Sequence, residues 1–412
     1  MSSSSSSSTS PFASNFQYPV EGWFARLRRL IMQFFGIFLG INVLLNAAYY
    51  KLWFFCCRRN KASSYPIPHP PTLPSNFFSY FVTANNCRFH IVEVGKPRSP
   101  SEPDNRPTVL LVHGFPETWY CWRHIMTLLG GTNTTSFPSD STITSSVLRK
   151  APLLPNHRII AIDLRGCGDS ESNPSWPLGA YAIQTLIEDL RQLIIVLKCS
   201  NQSVHLVAHD WGGLIAWGFA AAYPTMIKTL CILAAPHPRI FSKNMSISQL
   251  IKSWYIIFFQ IPYLPEWYMT FHNLHFVRAL FTGKSLGIKR KLTTNPKEFK
   301  HPWLSQDDIA IAQYALTLPN IPTSSINYYR NIFGINRDSL HGFGSSRRNP
   351  LTMPVLHLWG DSDGALGTEL TRGTEEYCKD YELIVLRNAS HWLQQDCVED
   401  ISEAIYKFIA KH

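Results

Sequence analysis

The chain has 412 residues, which is longer than one compact core usually needs. Of these residues 45% are hydrophobic and 16% are charged, a composition that excludes a disordered protein. The formal net charge of +10 would suit an anionic partner, but no nucleic-acid-binding motif accompanies it, so we expect no nucleic-acid partner. The nine cysteines include no CxxC pair, which favours free thiols in a reducing compartment over disulfides or a zinc site.

The N-terminal region is predicted to attach the protein to a membrane. Residues 1–20 are rich in serine and predict a disordered tail. Residues 30–50 carry no charge and have the length of a bilayer-spanning helix, so with their basic flanks they predict a membrane anchor over 21–62. A helix lying in the membrane interface is the alternative. A proline-rich linker over 63–75 follows the anchor.

These features predict a single-pass protein of the endoplasmic reticulum, with membrane lipids as partners. Basic residues on both flanks of the apolar run leave its orientation open. One of four N-x-S/T sequons, at Asn388, lies three residues before His391, to which a catalytic role is assigned below. A glycan there would crowd an active site, so a cytosolic catalytic domain is favoured over a lumenal one.

The rest of the chain predicts an α/β core, formed by residues 76–236 and 349–412, with an insertion. Two strand-like runs near 77–83 and 87–94 flank Asn85-Asn86 as a hairpin. Apolar runs alternating with helical patterns predict a mostly parallel sheet with helices on both faces. These runs are 108–112, 158–162, 204–208, 227–234, 355–358 and 383–386. The aromatic and basic segment 237–348 predicts a helical cap inserted between two strands.

The sequence AHDWGG (208–213) lies between a buried strand and a helical pattern over 214–223. Small residues two positions on either side of Asp210 are typical of a nucleophile elbow, the sharp turn that lifts one side chain above the sheet. A carboxylate there attacks carbon directly and leaves an alkyl ester on the enzyme. Asp210 therefore predicts a nucleophile for strained or activated C–O or C–halogen bonds, and it disfavours a serine esterase.

A second motif, His113-Gly114-Phe115-Pro116, follows the strand over 108–112. In this architecture such a loop supplies one backbone N–H group of an oxyanion hole, and the residue after the nucleophile supplies the other. The predicted donors are Phe115 and Trp211.

Candidate acids and a candidate base follow the last two predicted strands. Asp361 and Asp363 come after the first of them, and His391 comes after the second. The chain order of nucleophile, acid and histidine is that of α/β-hydrolases. Asp210 and His391 are therefore predicted to be catalytic, while these residues alone leave the choice between the two acids open.

Together these motifs resemble those of epoxide hydrolases with the α/β-hydrolase fold, in particular the membrane-anchored animal branch with one N-terminal hydrophobic helix. The resemblance covers roughly residues 75–412. It is carried by HGFPETWYCWR (113–123), DLRGCGDS (163–170), AHDWGG (208–213), APHP (235–238), WGDSD (359–363) and HW (391–392). It implies the α/β-hydrolase fold with an inserted cap, and a hydrolase that needs no metal or organic cofactor.

The resemblance also implies roles for particular residues. Asp363, by its place in the family motif, would orient His391. Two cap tyrosines of the family would hold and protonate the epoxide oxygen, and they match Tyr255 in SWYIIFFQIP (253–262) and Tyr329 in NYYRN (327–331). The implied reaction converts small lipophilic epoxides, such as those of fatty acids, and water to vicinal diols through an ester on Asp210.

Two other functions compete with this one. A haloalkane or haloacid dehalogenase shares the aspartate nucleophile, but it needs halide-binding groups in place of the tyrosine pair. An inactive, membrane-tethered lipid-binding protein is a candidate of a different class. The intact set of nucleophile, acid, base and oxyanion loop argues against such a decayed site.

Overall fold

The computed structural model describes residues 67–95, 105–130, 153–199, 203–290, 301–332 and 349–412, together with positions 30, 33 and 41. The predicted tail over 1–20 and, apart from those three positions, the predicted anchor over 21–62 lie outside the described residues. Among the helices that the structure describes, none is both long enough and apolar enough to cross a membrane.

In the described part of the chain, eight strands form one sheet in the order β1-β2-β4-β3-β5-β6-β7-β8. The strands are β1 (Phe77–Ala84), β2 (Cys87–Val94), β3 (Thr108–Val112), β4 (Arg158–Ile162), β5 (Val204–His209), β6 (Ile227–Leu233), β7 (Leu351–Gly360) and β8 (Cys378–Leu386). Strand β2 runs antiparallel to both of its neighbours, and every other pairing is parallel. The predicted mostly parallel sheet is confirmed.

The helices lie between these strands and after the last one. They are α1 (Arg123–Gly130), α2 (Ile183–Val196), α3 (Asp210–Ala222), α4 (Pro238–Lys243), α5 (Ile247–Lys252), α6 (Trp254–Phe258), α7 (Leu264–Thr282), α8 (Gln306–Ala315), α9 (Ile321–Ile332), α10 (Leu393–Asp396) and α11 (Val398–Lys411). Helices α4 to α9 all fall between β6 and β7, within the segment predicted as a cap. Residues 291–300 and 333–348 of that segment lie outside the described part.

Alternate residues of the central strand β3 point into two separate cores. Leu110 and Val112 pack in the core that contains the apolar residues of α2 and α3. Val109 and Leu111 pack in the other core, with those of α1 and α11. Side chains alternate across a strand, so these two cores lie on opposite faces of the sheet, and each face is covered by helices. Because both faces are buried, the strands are continuous apolar runs in the sequence.

The carboxyl ends of the parallel strands meet at one edge of the sheet, where the predicted functional motifs follow them. Val112 at the end of β3 pairs with Ala208 near the end of β5. Gly360 at the end of β7 pairs with Leu386 at the end of β8. The oxyanion-loop motif, the elbow, the candidate acids and the candidate base therefore all leave the sheet at the same edge, where ligands bind in open α/β sheets.

Candidate active site

The elbow at Asp210 is a strained turn that two glycines make possible. Asp210 has φ of +50°, an uncommon conformation for a residue with a side chain. A Cβ on Gly114 would lie 2.4 Å from the Asp210 Cβ, and one on Gly212 would lie 2.5 Å from the His113 carbonyl oxygen. Only glycine lets the loop after β3 and the first turn of α3 approach the nucleophile this closely.

His391 lies between two carboxylates. Its Nδ1 is 2.7 Å from Oδ2 of Asp363, and its Nε2 is 3.4 Å from Oδ2 of Asp210. Asp363 is fixed in turn, because its Oδ1 accepts hydrogen bonds from the backbone N–H groups of Ala365 and Leu366 at 2.7 and 2.8 Å. Of the two candidate acids, the structure brings Asp363 to the histidine, whereas Asp361 is exposed and accepts a hydrogen bond from Ser362.

The charges of this group stabilise one another. Burial acts to lower the pKa of His391, but the flanking carboxylates of Asp363 and Asp210 outweigh it and hold that pKa well above the ordinary 6.5. Burial acts to raise the pKa of Asp210, but the hydrogen bond and charge of His391 bring it below the ordinary 3.8. Near neutral pH the histidine is therefore an imidazolium and Asp210 an ionised carboxylate, which is the form that can attack carbon.

The predicted oxyanion loop contacts the nucleophile directly. The backbone N–H of Phe115 donates to Oδ1 of Asp210 at 2.9 Å, and the Phe115–Pro116 peptide bond is cis. The second predicted donor, Trp211, lies in the first turn of α3, where backbone N–H groups have no partner inside the helix. The Phe115 N–H therefore binds Oδ1, whereas His391 is nearest to Oδ2, and the role of Trp211 as the second donor stays a prediction.

His113 has a structural part in this loop. It is fully buried; its Nδ1 donates to the carbonyl of Gly114 at 2.8 Å, and its Nε2 accepts from the N–H of Leu164 at 3.0 Å. One donor and one acceptor describe a neutral imidazole, in agreement with burial lowering its pKa. The histidine thus joins the loop after β3 to the loop after β4.

The two predicted tyrosines come from different cap helices and meet beside the nucleophile. The ring centroids of Tyr255, on α6, and Tyr329, on α9, are 5.7 Å apart. The Tyr329 ring packs edge-on to Trp211 at 5.0 Å and to Phe115 at 5.1 Å. Gln260 links the two helices, since its amide donates to the carbonyls of Ile256 and Tyr329 at 3.0 Å each.

Both phenols are held in the protonated form. Burial raises the pKa of Tyr255 and Tyr329 above the ordinary 10.0, and the negative charge of Asp210 raises both further. A phenol in this state donates a hydrogen bond, and it gives up a proton only to a stronger base, such as a developing alkoxide.

Sequence reasoning assigned no role to Glu117 or His209, although both lie inside the quoted motifs. Nδ1 of His209 is 2.9 Å from Oε2 of Glu117, and its Nε2 is 2.9 Å from the backbone carbonyl oxygen of His391. Gln394 and Gln395 donate to the same Glu117 carboxylate at 2.8 and 2.6 Å. This buried network holds the backbone carbonyl of His391, the candidate base, in place.

A signal for this network was available in the sequence. His209 ends a buried strand, and a buried histidine needs a polar partner for each ring nitrogen. Glu117, two residues beyond the predicted oxyanion donor Phe115, was an unassigned carboxylate in one of the quoted motifs.

A cavity that opens to solvent adjoins the nucleophile. Its walls come from the loop after β3, the loop after β4, Trp211 and the cap helices α8 and α9. Most of the lining is apolar, with Glu117 and Ser325 among the exceptions.

A carboxylate on a nucleophile elbow, with an acid and a histidine after later strands, defines an α/β-hydrolase with an aspartate at the nucleophile position. Comparison with known proteins gives the same class: the family model described as alpha/beta hydrolase fold matches residues 107–396.

The relatives place the chain more closely. It is 32% identical to human epoxide hydrolase 4 over 330 residues, which cover 79% of this chain and 76% of that protein. It is 33% identical to epoxide hydrolase 2 of Caenorhabditis elegans over 332 residues, covering 80% and 79%. A crystal structure of an epoxide hydrolase from Vigna radiata, 25% identical, aligns with a TM-score of 0.60 over 83% of this chain and all of that one. The chain belongs to the epoxide hydrolases of the α/β-hydrolase-fold family, and it is a hydrolase.

Proposed function

We propose that the protein hydrolyses lipophilic epoxides to vicinal diols through a covalent ester on Asp210. The observation that carries this proposal is the pair of protonated phenols, Tyr255 and Tyr329, beside an ionised carboxylate nucleophile. Epoxide opening needs a nucleophile and a proton donor together, because the leaving group is an alkoxide. A halide leaves as a stable anion and does not need a proton, so the phenols favour the epoxide over the haloalkane.

In the first half-reaction, Oδ2 of Asp210 attacks a carbon of the epoxide ring. Oδ1 is already held by the Phe115 N–H, so Oδ2 is the oxygen available for attack. The ring C–O bond breaks, and its electron pair takes a proton from Tyr255 or Tyr329. The product is a hydroxyalkyl ester of Asp210, with one tyrosine left as a phenolate.

In the second half-reaction, water adds to the carbonyl carbon of this ester. His391, which has given its own proton to the phenolate and is oriented by Asp363, takes a proton from the water, and the N–H groups of Phe115 and Trp211 bind the charge that develops on Oδ1. Collapse of the tetrahedral intermediate breaks the ester C–O bond, and the departing diol oxygen takes a proton from His391. Asp210 is then released as a carboxylic acid and gives its proton to His391, which restores the ionised nucleophile and the imidazolium of the free enzyme.

The cavity supports a lipophilic substrate. Its largely apolar lining would bind a hydrocarbon chain.

We also propose that the apolar run over 30–50 anchors the enzyme to a membrane, with the catalytic domain in the cytosol. The seven cysteines of the described residues are all buried free thiols, which suits a reducing compartment. The amide nitrogen of the sequon residue Asn244 donates to the carbonyls of Glu369 and Arg372 at 2.9 and 2.8 Å, so the folded domain uses this amide. Asn388 is exposed, so a lumenal domain would offer this sequon for glycosylation. A decrease in apparent mass on endoglycosidase treatment that depends on Asn388 would therefore refute the cytosolic orientation.

The catalytic proposal is tested by offering the purified full chain a fatty-acid epoxide and a chloroalkane of the same chain length. We expect diol from the first substrate and no chloride from the second. A single turnover in H₂¹⁸O should place the label in the Asp210 carboxylate, read by peptide mass. Chloride release without diol would make the protein a dehalogenase, and an unlabelled Asp210 after normal turnover would exclude the ester.

A further inference from the structure

The cap helices α5 and α6 and the start of α7 present large apolar side chains to solvent. We call this group the apolar cap surface; it consists of Ile247, Leu250, Ile251, Trp254, Tyr263 and Trp267. On α5, Ile247, Leu250 and Ile251 are 81%, 54% and 69% exposed, and their i, i+3, i+4 spacing places them on one helix face. Such a run of exposed apolar residues is unfavourable in water and marks a surface that contacts a partner or a membrane.

The backbone at Tyr263 shows that this exposure is built into the fold. Tyr263 has φ of +64°, and the N–H of Leu264 donates to the carbonyl of Pro262 at 2.7 Å, so a γ-turn presents the tyrosine. The turn is strained for a residue with a bulky side chain, yet that side chain is 85% exposed and adds little to the core. Folding alone does not account for an aromatic residue here.

We propose that the apolar cap surface docks on an anionic lipid bilayer, and that the epoxide enters the site from that bilayer. The docking stands on the surface itself, whereas the entry of the epoxide rests on the proposed function. Isoleucine and leucine side chains bordered by tryptophan and tyrosine are the composition of segments that lie at a membrane interface.

The charge around the surface fits anionic headgroups. Between residues 238 and 270 the sequence has one acid, Glu266, and that carboxylate is paired with Arg330 at 2.8 Å. Lys243, which is exposed, and Lys252 add positive charge beside the apolar residues. The chain as a whole carries +10. A basic border around an apolar face is attracted to a negatively charged leaflet.

The membrane anchor proposed above would make a bilayer the nearest partner of the cap. The uncharged run ends at residue 50 and the sheet begins at Phe77, so the connection spans at most ~90 Å when fully extended. A tether of this reach holds the cap at a high effective concentration near the membrane. Weak docking by the apolar cap surface then suffices to fix the orientation of the domain.

The same helices join this surface to the site. Gln249 lies on the opposite, buried face of α5, where its side chain donates to the carbonyl of Ala365 and accepts from the N–H of Gly367, both at 2.9 Å. Lys252 donates to the backbone carbonyl of Asp363 at 3.2 Å. On α6, exposed Trp254 immediately precedes Tyr255. The helices that carry the apolar cap surface therefore also contact the loop of Asp363 and carry Tyr255, one of the two tyrosines.

The test uses the full chain in vesicles of phosphatidylcholine with about 30% phosphatidylserine. The variant carries Ile247→Ser, Leu250→Ser and Ile251→Ser. A matched control changes three other exposed apolar residues away from the cap, as Ile195→Ser, Val196→Ser and Leu383→Ser. Because all six side chains are exposed, both triple variants should fold, and their melting temperatures are compared with that of the wild type.

Hydrogen exchange gives a readout that does not depend on catalysis. We expect the amides of residues 247–267 to exchange at least about tenfold more slowly in the wild type and the control than in the cap variant. Equal exchange in all three proteins would overturn the proposal. Protection that persists in detergent and grows with protein concentration would also overturn it, in favour of contact between two copies of the chain.

Turnover separates docking from the chemistry. We expect the cap variant to lose about tenfold in kcat/KM on a long-chain epoxide supplied in the vesicles, and to match the control on a short water-soluble epoxide. Equal losses on both substrates would overturn entry from the bilayer. If the wild type hydrolysed neither epoxide, the proposed function would fail, while the exchange measurement would still decide whether the cap docks.

Discussion

The tyrosine pair offers the sharpest test of the chemistry, through the substitutions Tyr255→Phe and Tyr329→Phe. Each change removes one hydroxyl and keeps the ring, so the contacts of Tyr329 with Trp211 at 5.0 Å and Phe115 at 5.1 Å are retained. What is lost is a donor to the oxygen that becomes an alkoxide. Any large effect should therefore appear in the rate of ester formation and not in stability.

The magnitude follows from the role. Removing one preorganised donor to a developing oxyanion costs about 2.7 kcal/mol or more, which corresponds to about 10²-fold in rate. Each single variant should lose about this factor in the alkylation step, because the other phenol remains. The double variant should form no measurable ester. The measurement is a rapid-quench single turnover with intact-mass detection of the alkylated protein.

Tyr181→Phe is the matched control. The Tyr181 hydroxyl is buried and donates to Oγ of Ser324 on α9 at 2.9 Å, but it does not lie beside the nucleophile. Its loss should lower the free energy of unfolding by about 1 kcal/mol and leave alkylation unchanged. The reasoning is refuted if the double variant at 255 and 329 still opens epoxides at a tenth of the wild-type rate or faster.

Three further predictions concern the nucleophile and its partners. His391→Gln should form the Asp210 ester at near the normal rate and accumulate it, seen as a stable mass increase equal to the substrate; turnover without accumulation would contradict its role as the base. Gly114→Ala should abolish activity and lower the melting temperature, since the new Cβ would lie 2.4 Å from that of Asp210, and a fully active variant would show that the loop can move. Asp363→Asn should slow ester hydrolysis by about 10² to 10⁴ in single-turnover decay while Asp361→Asn should not, and the reverse result would reassign the acid.

Much of the fold is predictable from the sequence because its strands are buried on both faces. Strands β3 and β4 have the predicted bounds, 108–112 and 158–162, since a short apolar run between turn residues has few other interpretations. Strand β7 begins at Leu351, earlier than the predicted 355. The earlier start was not predicted because Pro354 argues against a strand at this position. In the structure a register shift between Leu351 and Pro354 accommodates the proline.

The site was predictable to the extent that motifs fix positions along the chain. A motif gives the position of Asp363 but not the direction of its side chain, which is set by hydrogen bonds from Ala365 and Leu366. The link between Glu117 and His209 was missed because it joins residues 92 apart in the chain. Helix α7 shows a further local feature that was not predicted, because His272, Asn273 and Leu274 adopt positive φ within it.

The charges in the site explain how one proton can serve both halves of the proposed reaction. In the free enzyme, Asp363 and Asp210 raise the pKa of His391, so it carries a proton that a general base should not have. Esterification neutralises Asp210, which removes one of the two charges that raise this pKa and lowers it. The same step leaves a phenolate at Tyr255 or Tyr329, whose pKa burial has raised. The proton released by His391 matches the one that the phenolate needs, so the histidine becomes a base only after the ester exists. The loss of the charge of Asp210 on esterification therefore ensures that the water is activated only after the epoxide has been opened.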